Sequence, residues 1–387
     1  MEEEKKEVEV TSEATQTPEK KKRFKHRWVG ILLNCVIGFF GTLIMVFGVF
    51  LIYASATTLK TTDIEKVSVG GNATKILYGG VTTSILTWNV GYCALDETAD
   101  FFMDGGTEVR AHSAKQVKEN MAAITTKINE IDPDICFVQE VDIESDRSKR
   151  VNELNYFNKT IDSTVHERAF AANYKAGYVP YPLPTTLGKV YSGINTYTKF
   201  HVTSAERHQL PIPFKWPVSL LNLKRCLLVE RIPVQDQGKE LVIINLHLEA
   251  YSEAEGKAKQ LKQMFNFIDK ERDKGNYVIA GGDFNQAFSN IDRSMYPLRN
   301  KDYWQTPVID TDRYPQVDFL MDNTHPTCRL LNKKYKGADK DTFQYYMIDG
   351  FICSKNVEVE SINTLDLEFK NSDHNPVLMQ FHLMPSL

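Results

Sequence analysis

Six short segments of this 387-residue chain end or interrupt apolar runs with polar side chains that strand propensity does not ask for. Thr87-Trp88-Asn89-Val90 brings an amide, and Cys136-Phe137-Val138-Gln139-Glu140 a carboxylate. Ile244-Asn245-Leu246-His247 brings an imidazole. Ala280-Gly281-Gly282-Asp283-Phe284-Asn285 follows an apolar run with a glycine pair and then Asp-x-Asn. Met347-Ile348-Asp349-Gly350-Phe351 embeds an acid among apolar residues, and Ser372-Asp373-His374-Asn375-Pro376 completes the set. Carboxylates and amides are oxygen donors of the kind Mg²⁺ prefers, and histidines exchange protons near neutral pH. Zinc and redox chemistry are not indicated. Cys35, Cys93, Cys136, Cys226, Cys328 and Cys353 are scattered without CxxC spacing, and no essential disulfide is expected among them.

Each segment alone has an ordinary explanation. An Asn at a strand end is usually a turn former, Gly-Asp-x-Asn is usually a turn, and an isolated His or Asp-His pair is more often structural than reactive. Their order carries more. Taken together, Trp-Asn, Gln-Glu, a strand-borne His, Gly-Asp-Phe-Asn, an Asp-Gly strand and Ser-Asp-His resemble the motifs of the endonuclease/exonuclease/phosphatase superfamily, over roughly 84–383. The resemblance implies an α+β fold, a four-layer α/β-sandwich of two packed mixed β-sheets flanked by helices, with the site at one end of the sandwich.

It also implies a metal-dependent phosphoester hydrolase, a chemistry in which a cation must neutralise the phosphoryl oxygens so that a nucleophile can approach. On this reading Glu140 is the primary Mg²⁺ ligand, with Asn89 and Asp373 supporting it directly or through water. Mn²⁺ or Ca²⁺ would suit the same oxygens. In the family pattern the residue at His374 pairs with the one at Asp349, making His374 either a base toward water or a cation on the phosphoryl oxygens. His247 would be a second donor to those oxygens. Asp283 would orient or deprotonate the water, and Asn285 would hold phosphate or water.

Stepping along the chain, apolar runs at Ser84–Val90, Ile135–Val141, Gly193–Phe200, Arg225–Val234, Leu241–Leu248, Tyr277–Ala280, Met347–Cys353 and Pro376–Leu383 read as strands. Val117, Met121, Ile124, Ile128 and Ile131 recur at helical spacing, as do Ala258, Leu261, Phe265 and Ile268 within Glu253–Lys270. No repeat divides residues 81–387, which read as one catalytic domain. Residues 55–80 read as a polar connector, and residues 1–19, nearly free of large apolar side chains, as a disordered tail.

Between tail and connector the pattern is different. A basic cluster, Lys20-Lys21-Lys22-Arg23-Phe24-Lys25-His26-Arg27, precedes 26 uncharged residues from Val29 to Ala54, bounded by Trp28 and Tyr53. That length spans a bilayer as a helix and exceeds the apolar core of a cleavable signal peptide. The domains are therefore read as a cytoplasmic tail over 1–27, a transmembrane helix over 28–54, a linker over 55–80 and a catalytic domain over 81–387. The basic flank puts the N-terminus in the cytoplasm and the domain outside it.

The substrate is less legible. Residues 1–27 carry eight basic and seven acidic side chains, and residues 55–387 carry 38 against 43, an acidic balance that disfavours nucleic acid as the main partner. Ala176–Val190 and Gln209–Leu223 are rich in proline and apolar residues. They read either as loops packed on the domain's own edge or as a surface in which Phe214, Trp216, Leu220 and Leu221 meet a bilayer. Arg147 and Arg150, after Glu140, read either as a phosphate clamp or as a solvated loop. The favoured partner is a lipid or small-molecule phosphoester; an extracellular nuclease and a non-catalytic binding module on the same fold are the alternatives.

Overall fold

The computed structural model describes residues 18–161 and 165–384, so the expected tail lies, up to residue 17, outside the described residues. The chain divides into two compact units, Met1–Tyr53 and Ala54–Leu387. A helix, α1 (Pro18–Thr57), dominates the first. Its stretch Arg27–Thr57 is long and apolar enough to cross a membrane, and side chains such as Leu32, Phe39, Ile44 and Ile52 are exposed along it.

The second unit is a sandwich. Its main strands are β1 (Ile64–Val67), β2 (Thr83–Asn89), β3 (Ile135–Asp142), β4 (Glu167–Val179), β5 (Gly188–Thr198), β6 (Ser204–Gln209) and β7 (Cys226–Gln235). They continue with β8 (Lys239–His247), β9 (Tyr277–Asp283), β10 (Val317–Leu320), β11 (Asp349–Ser354), β12 (Val357–Thr364) and β13 (Val377–Leu383). One eight-stranded sheet runs β1-β6-β7-β8-β9-β11-β10, with Leu77–Tyr78 added beside β7; a seven-stranded sheet runs β12-β13-β2-β3-β5-β4 and ends on Gly70–Gly71.

The four layers follow from strands that are apolar on both faces. In β8, Leu241 and Ile243 point between the sheets, while Val242 and Ile244 point outward onto Met264, Phe265 and Ile268 of α4 (Ala254–Asp273). In β2, Ile85 faces inward, and Leu86 and Trp88 face Val117, Met121 and Ile124 of α2 (Ala114–Ile131), with Phe157 of α3 (Glu153–Thr160) alongside. The order of layers is thus α2 and α3, one sheet, the other sheet, α4.

Three sequence expectations change. Residues 55–80 are not a plain connector: Ile64–Val67 pairs with β6, Leu77–Tyr78 with β7 and Gly70–Gly71 with β4, because backbone pairing requires no apolar run. The ends of Ala176–Val190 belong to the two arms of a hairpin, with residues 180–187 as the loop between β4 and β5. The strand expected over Gly193–Phe200 begins at Gly188, and β4, β6, β10, β12 and α3 join the expected elements.

Candidate active site

The sheet registers gather the polar set. His247 ends β8 opposite Asp283, and Asp283 ends β9 opposite Asp349, so three adjacent strands present imidazole, carboxylate and carboxylate at one level. On the facing sheet Asn89 ends β2 opposite Gln139. The next residue, Glu140, sits in a bulge between Val138 and Val141 with φ 60°, a left-handed conformation costly for a side chain and the kind that re-aims one. One level below, Gln139 donates to Asn245 Oδ1 (2.8 Å) and Thr87 Oγ1 (3.1 Å), tying the two sheets together through a buried polar bridge.

The approach of these strands requires the glycine pair. A Cβ on Gly282, whose φ is +143°, would lie 1.9 Å from Leu246 O, and one on Gly281 would lie 2.3 Å from the Phe351 ring. Asp373 and His374 come from the segment before β13. That segment is held by Trp88 Nε1 donating to His374 O (3.0 Å) and by Ser372 Oγ donating to Asn89 O (2.8 Å).

His374 Nδ1 lies 2.8 Å from Asp349 Oδ2, and its Nε2 lies 3.9 Å from Asp283 Oδ2. Asp283 Oδ2 accepts from Asn89 Nδ2 at 3.0 Å and is 3.4 Å from His247 Nε2; its Oδ1 accepts from the Asn285 backbone N–H at 2.8 Å. Asn285 Nδ2 donates to Leu248 O (3.0 Å). Glu140 Oε1 faces Asn89 Nδ2 at 3.4 Å and His247 Nε2 at 3.9 Å. All eight sequence-selected residues therefore come together, six of them on the wall of a cavity of about 570 Å³, with Asn89 and Asp349 supporting those six.

Electrostatics divides the histidines. Burial alone would lower His374, but the Asp349 carboxylate reverses this and holds the imidazole well above its ordinary value. Burial and then the Arg225 charge push His247 well below it, so this ring is neutral. Burial, with the Asp349 charge, raises Asp283 to about 7. Burial raises Asp373 to about 6, where His374 opposes and Glu140 adds to the shift. The set can therefore hold one imidazolium, one neutral imidazole and a carboxyl group poised near neutrality.

A divalent cation fits beside Glu140, Asp373 and Asn89. The donors are oxygens, and neither carboxylate is hydrogen-bonded to a Lys or Arg among the described residues. A cation there would relieve the raised Asp373. Asp283, Asp349 and His374 also present ligand atoms within 4.8 Å of one another, as do Cys328, Asp373 and His374. The first trio includes the short His374–Asp349 contact, which already uses one ring nitrogen. The six cysteines are free.

Three arginines complete the wall, two of them invisible to sequence reasoning. Arg147 is partly buried, fixed to Asp142 (2.9 and 3.1 Å) and stacked 3.9 Å over the Tyr92 ring, whereas Arg150 is exposed and bonds Asp146. Arg225 and Arg329 are buried on the same wall; in each, Nε and Nη1 lack a hydrogen-bond partner among the described residues. The only available signal was a pair of arginines beginning or preceding apolar runs, which many surface arginines share.

Residues 86–374 match the sequence model of the Endonuclease/Exonuclease/phosphatase family. Among solved structures the chain is similar to the endonuclease/exonuclease/phosphatase from Beutenbergia cavernae DSM 12333, at 15% identity over 78% of this chain and 72% of that one, with a TM-score of 0.52. It is also similar to the Bacteroides vulgatus endonuclease/exonuclease/phosphatase (14% identity, 78% and 99% covered, TM-score 0.47). A third is the human Nocturnin catalytic domain with bound sulfate anion (14%, 82% and 97%, TM-score 0.45). Comparison with curated protein sequences gave no match.

Proposed function

The chain belongs to the endonuclease/exonuclease/phosphatase family, and from that premise we propose a Mg²⁺-dependent phosphoester hydrolase, held in a membrane by α1 with its catalytic domain outside the cytoplasm. The observation that carries the reading is the convergence of His374–Asp349, Asp283, His247 and Glu140 on one cavity end. Glu140 and Asp373, with Asn89, would hold the cation, which when bound supplies charge neutralisation to the phosphoryl oxygens. His247, neutral and buried, donates from Nε2 to one of those oxygens. Asp283, held by the Asn89 amide and the Asn285 N–H, orients the attacking water and accepts its proton. Asp349 fixes the His374 ring through Nδ1, which leaves Nε2 to stabilise the developing charge. The basic cluster before the apolar stretch of α1 supports the orientation.

The test is hydrolysis of bis-4-nitrophenyl phosphate by the purified full chain with and without Mg²⁺. Turnover should vanish with a chelator and return with Mg²⁺. Asp283→Ala and His374→Ala should each lower kcat by about 10²–10⁴-fold at unchanged thermal stability. Near-wild-type turnover in both variants would reject the assignment.

A further inference from the structure

The cavity extends well beyond the reacting end. Its outer part is walled by Val179, Tyr181 and Leu187 of the β4–β5 hairpin and by Phe214, Val218 and Leu221 of the segment before β7. Both loops spread apolar side chains into solvent: Tyr181 is 63% exposed, Leu183 80% and Trp216 66%. Residues 176–187 contain no charged side chain, and residues 209–223 contain only Lys215. A soluble monomer has no reason to keep such a patch open to water. Deeper in, Arg225 is within 3.9 Å of Glu249 but has no hydrogen-bond partner for Nε or Nη1 among the described residues, and Arg329 likewise keeps two donors unmade there. Buried donors of this kind are costly until an anionic group supplies acceptors. The cavity thus carries apolar side chains in its outer part and, beside the carboxylates and histidines of the reacting end, two buried arginines with unmade donors.

Chain continuity points to what enters it. Residues 57–59, at the end of the apolar helix, are fixed to the same two loops' bases. Leu59 N–H donates to Lys175 O (2.9 Å), Thr57 Oγ1 accepts from Gly177 N–H (3.2 Å), and Lys224 Nζ donates to Thr58 Oγ1 (3.1 Å) and to Leu59 O. The bases of the two loops are therefore tied to residues 57–59, which follow the apolar segment directly in the chain.

We propose that the cavity takes an amphiphilic phosphoester from the bilayer, its phosphate between Glu140 and His374 and its hydrocarbon chain along Val179–Leu187 and Phe214–Leu221. This rests on the hydrolase reading and names its substrate class: a lipid phosphoester rather than a soluble nucleotide or nucleic acid. Arg225 and Arg329 bind the anionic oxygens that the reacting end leaves uncovered. The exposed Tyr181, Leu183 and Trp216 rest in the bilayer surface, where aromatic and aliphatic tips are favoured.

The experiment uses the full chain reconstituted in phosphatidylcholine vesicles with Mg²⁺ and a series of 4-nitrophenyl phosphodiesters whose second ester is methyl, octyl or dodecyl. The reacting centre is constant and only the tail grows. KM should fall at least about 100-fold from methyl to dodecyl, since each buried methylene is worth roughly a fourfold gain when fully sequestered. In Tyr181→Asp and Val218→Asp, both changes at exposed positions, that ratio should collapse to below about fivefold. Turnover of the methyl ester with equal KM across the series overturns the proposal and leaves the hydrolase reading standing. A dodecyl advantage that survives in both variants overturns it too, because the gain is then partitioning into vesicles. Release of nitrophenol from none of the esters sinks both readings.

Discussion

At the scale of single residues, the short His374–Asp349 contact has a consequence that holds in either role for the histidine. Asp349 raises the imidazole well above its ordinary value against the opposing effect of burial. Replacing it by Asn removes the countercharge while leaving burial, so the folded-state value must drop. If His374 works as a cation, activity is lost as pH rises through its value; if it works as a base, activity is gained there. In both cases the inflection of kcat/KM belonging to His374 should move to lower pH in Asp349→Asn, by one pH unit or more, with kcat about 10²-fold or more below wild type. A pH–rate profile of the two proteins checks this, and an inflection that stays in place removes Asp349 from the mechanism. The eight residues of this cluster were legible because they end, begin or interrupt apolar runs, where side-chain chemistry stands out against the strand. Arg225 and Arg329 were not, because their significance lies in lacking partners, which only the assembled walls reveal.

At the scale of elements, the site depends on how closely β8, β9 and β11 approach, and the glycine pair sets that distance. Gly282→Ala must accommodate a methyl 1.9 Å from Leu246 O at a φ of +143°. It should destabilise the fold by about 2–4 kcal/mol and lower kcat by displacing Asp283, readable by urea unfolding and by turnover. Unchanged stability would show that β8 and β9 can spread without cost. A second element-scale prediction concerns Glu230 in β7, buried and raised to about 8 by burial against the lowering effect of Thr196. A folded-state value above the unfolded one means that the protein is most stable below the unfolded value and loses stability as pH rises through about 8. Glu230→Gln, which imitates the protonated form, should therefore raise Tm little at pH 5 and most at pH 9, by roughly a few kcal/mol of stability there. Thermal melts at both pH values would expose the error if the gain is larger in acid. Central strands such as β8 and β9 were readable because both faces are apolar. The flanking ones were not: β6 (SAERHQ) and β12 (VEVESINT) carry polar side chains yet are held by backbone pairing with their neighbours. The eight-residue α3 is too short for its periodicity to be distinctive.

At the scale of the whole molecule, the separation into Met1–Tyr53 and Ala54–Leu387 makes a testable division of labour. The second unit has its own cores between and outside the sheets, and the strap at residues 57–59 belongs to it through bonds to Lys175, Gly177 and Lys224. Removing residues 1–53 should therefore leave a cooperatively folding domain with kcat on bis-4-nitrophenyl phosphate within about twofold of the full chain. If α1 holds the domain in a membrane as proposed, what the truncation takes away is confinement. An anchored domain meets a bilayer substrate at an effective concentration in the millimolar range, so at sub-micromolar enzyme the truncated form should act on the vesicle-borne dodecyl diester at least about 10²-fold more slowly. Restoring attachment through an unrelated transmembrane helix fused at Ala54 should recover most of that loss, because the effect depends on proximity rather than on the sequence of the helix. Three outcomes separate the ideas: loss of cooperative unfolding on truncation would make α1 part of the fold, equal rates on vesicles would make the anchor irrelevant to catalysis, and recovery only with the native helix would give that helix a specific role in substrate delivery.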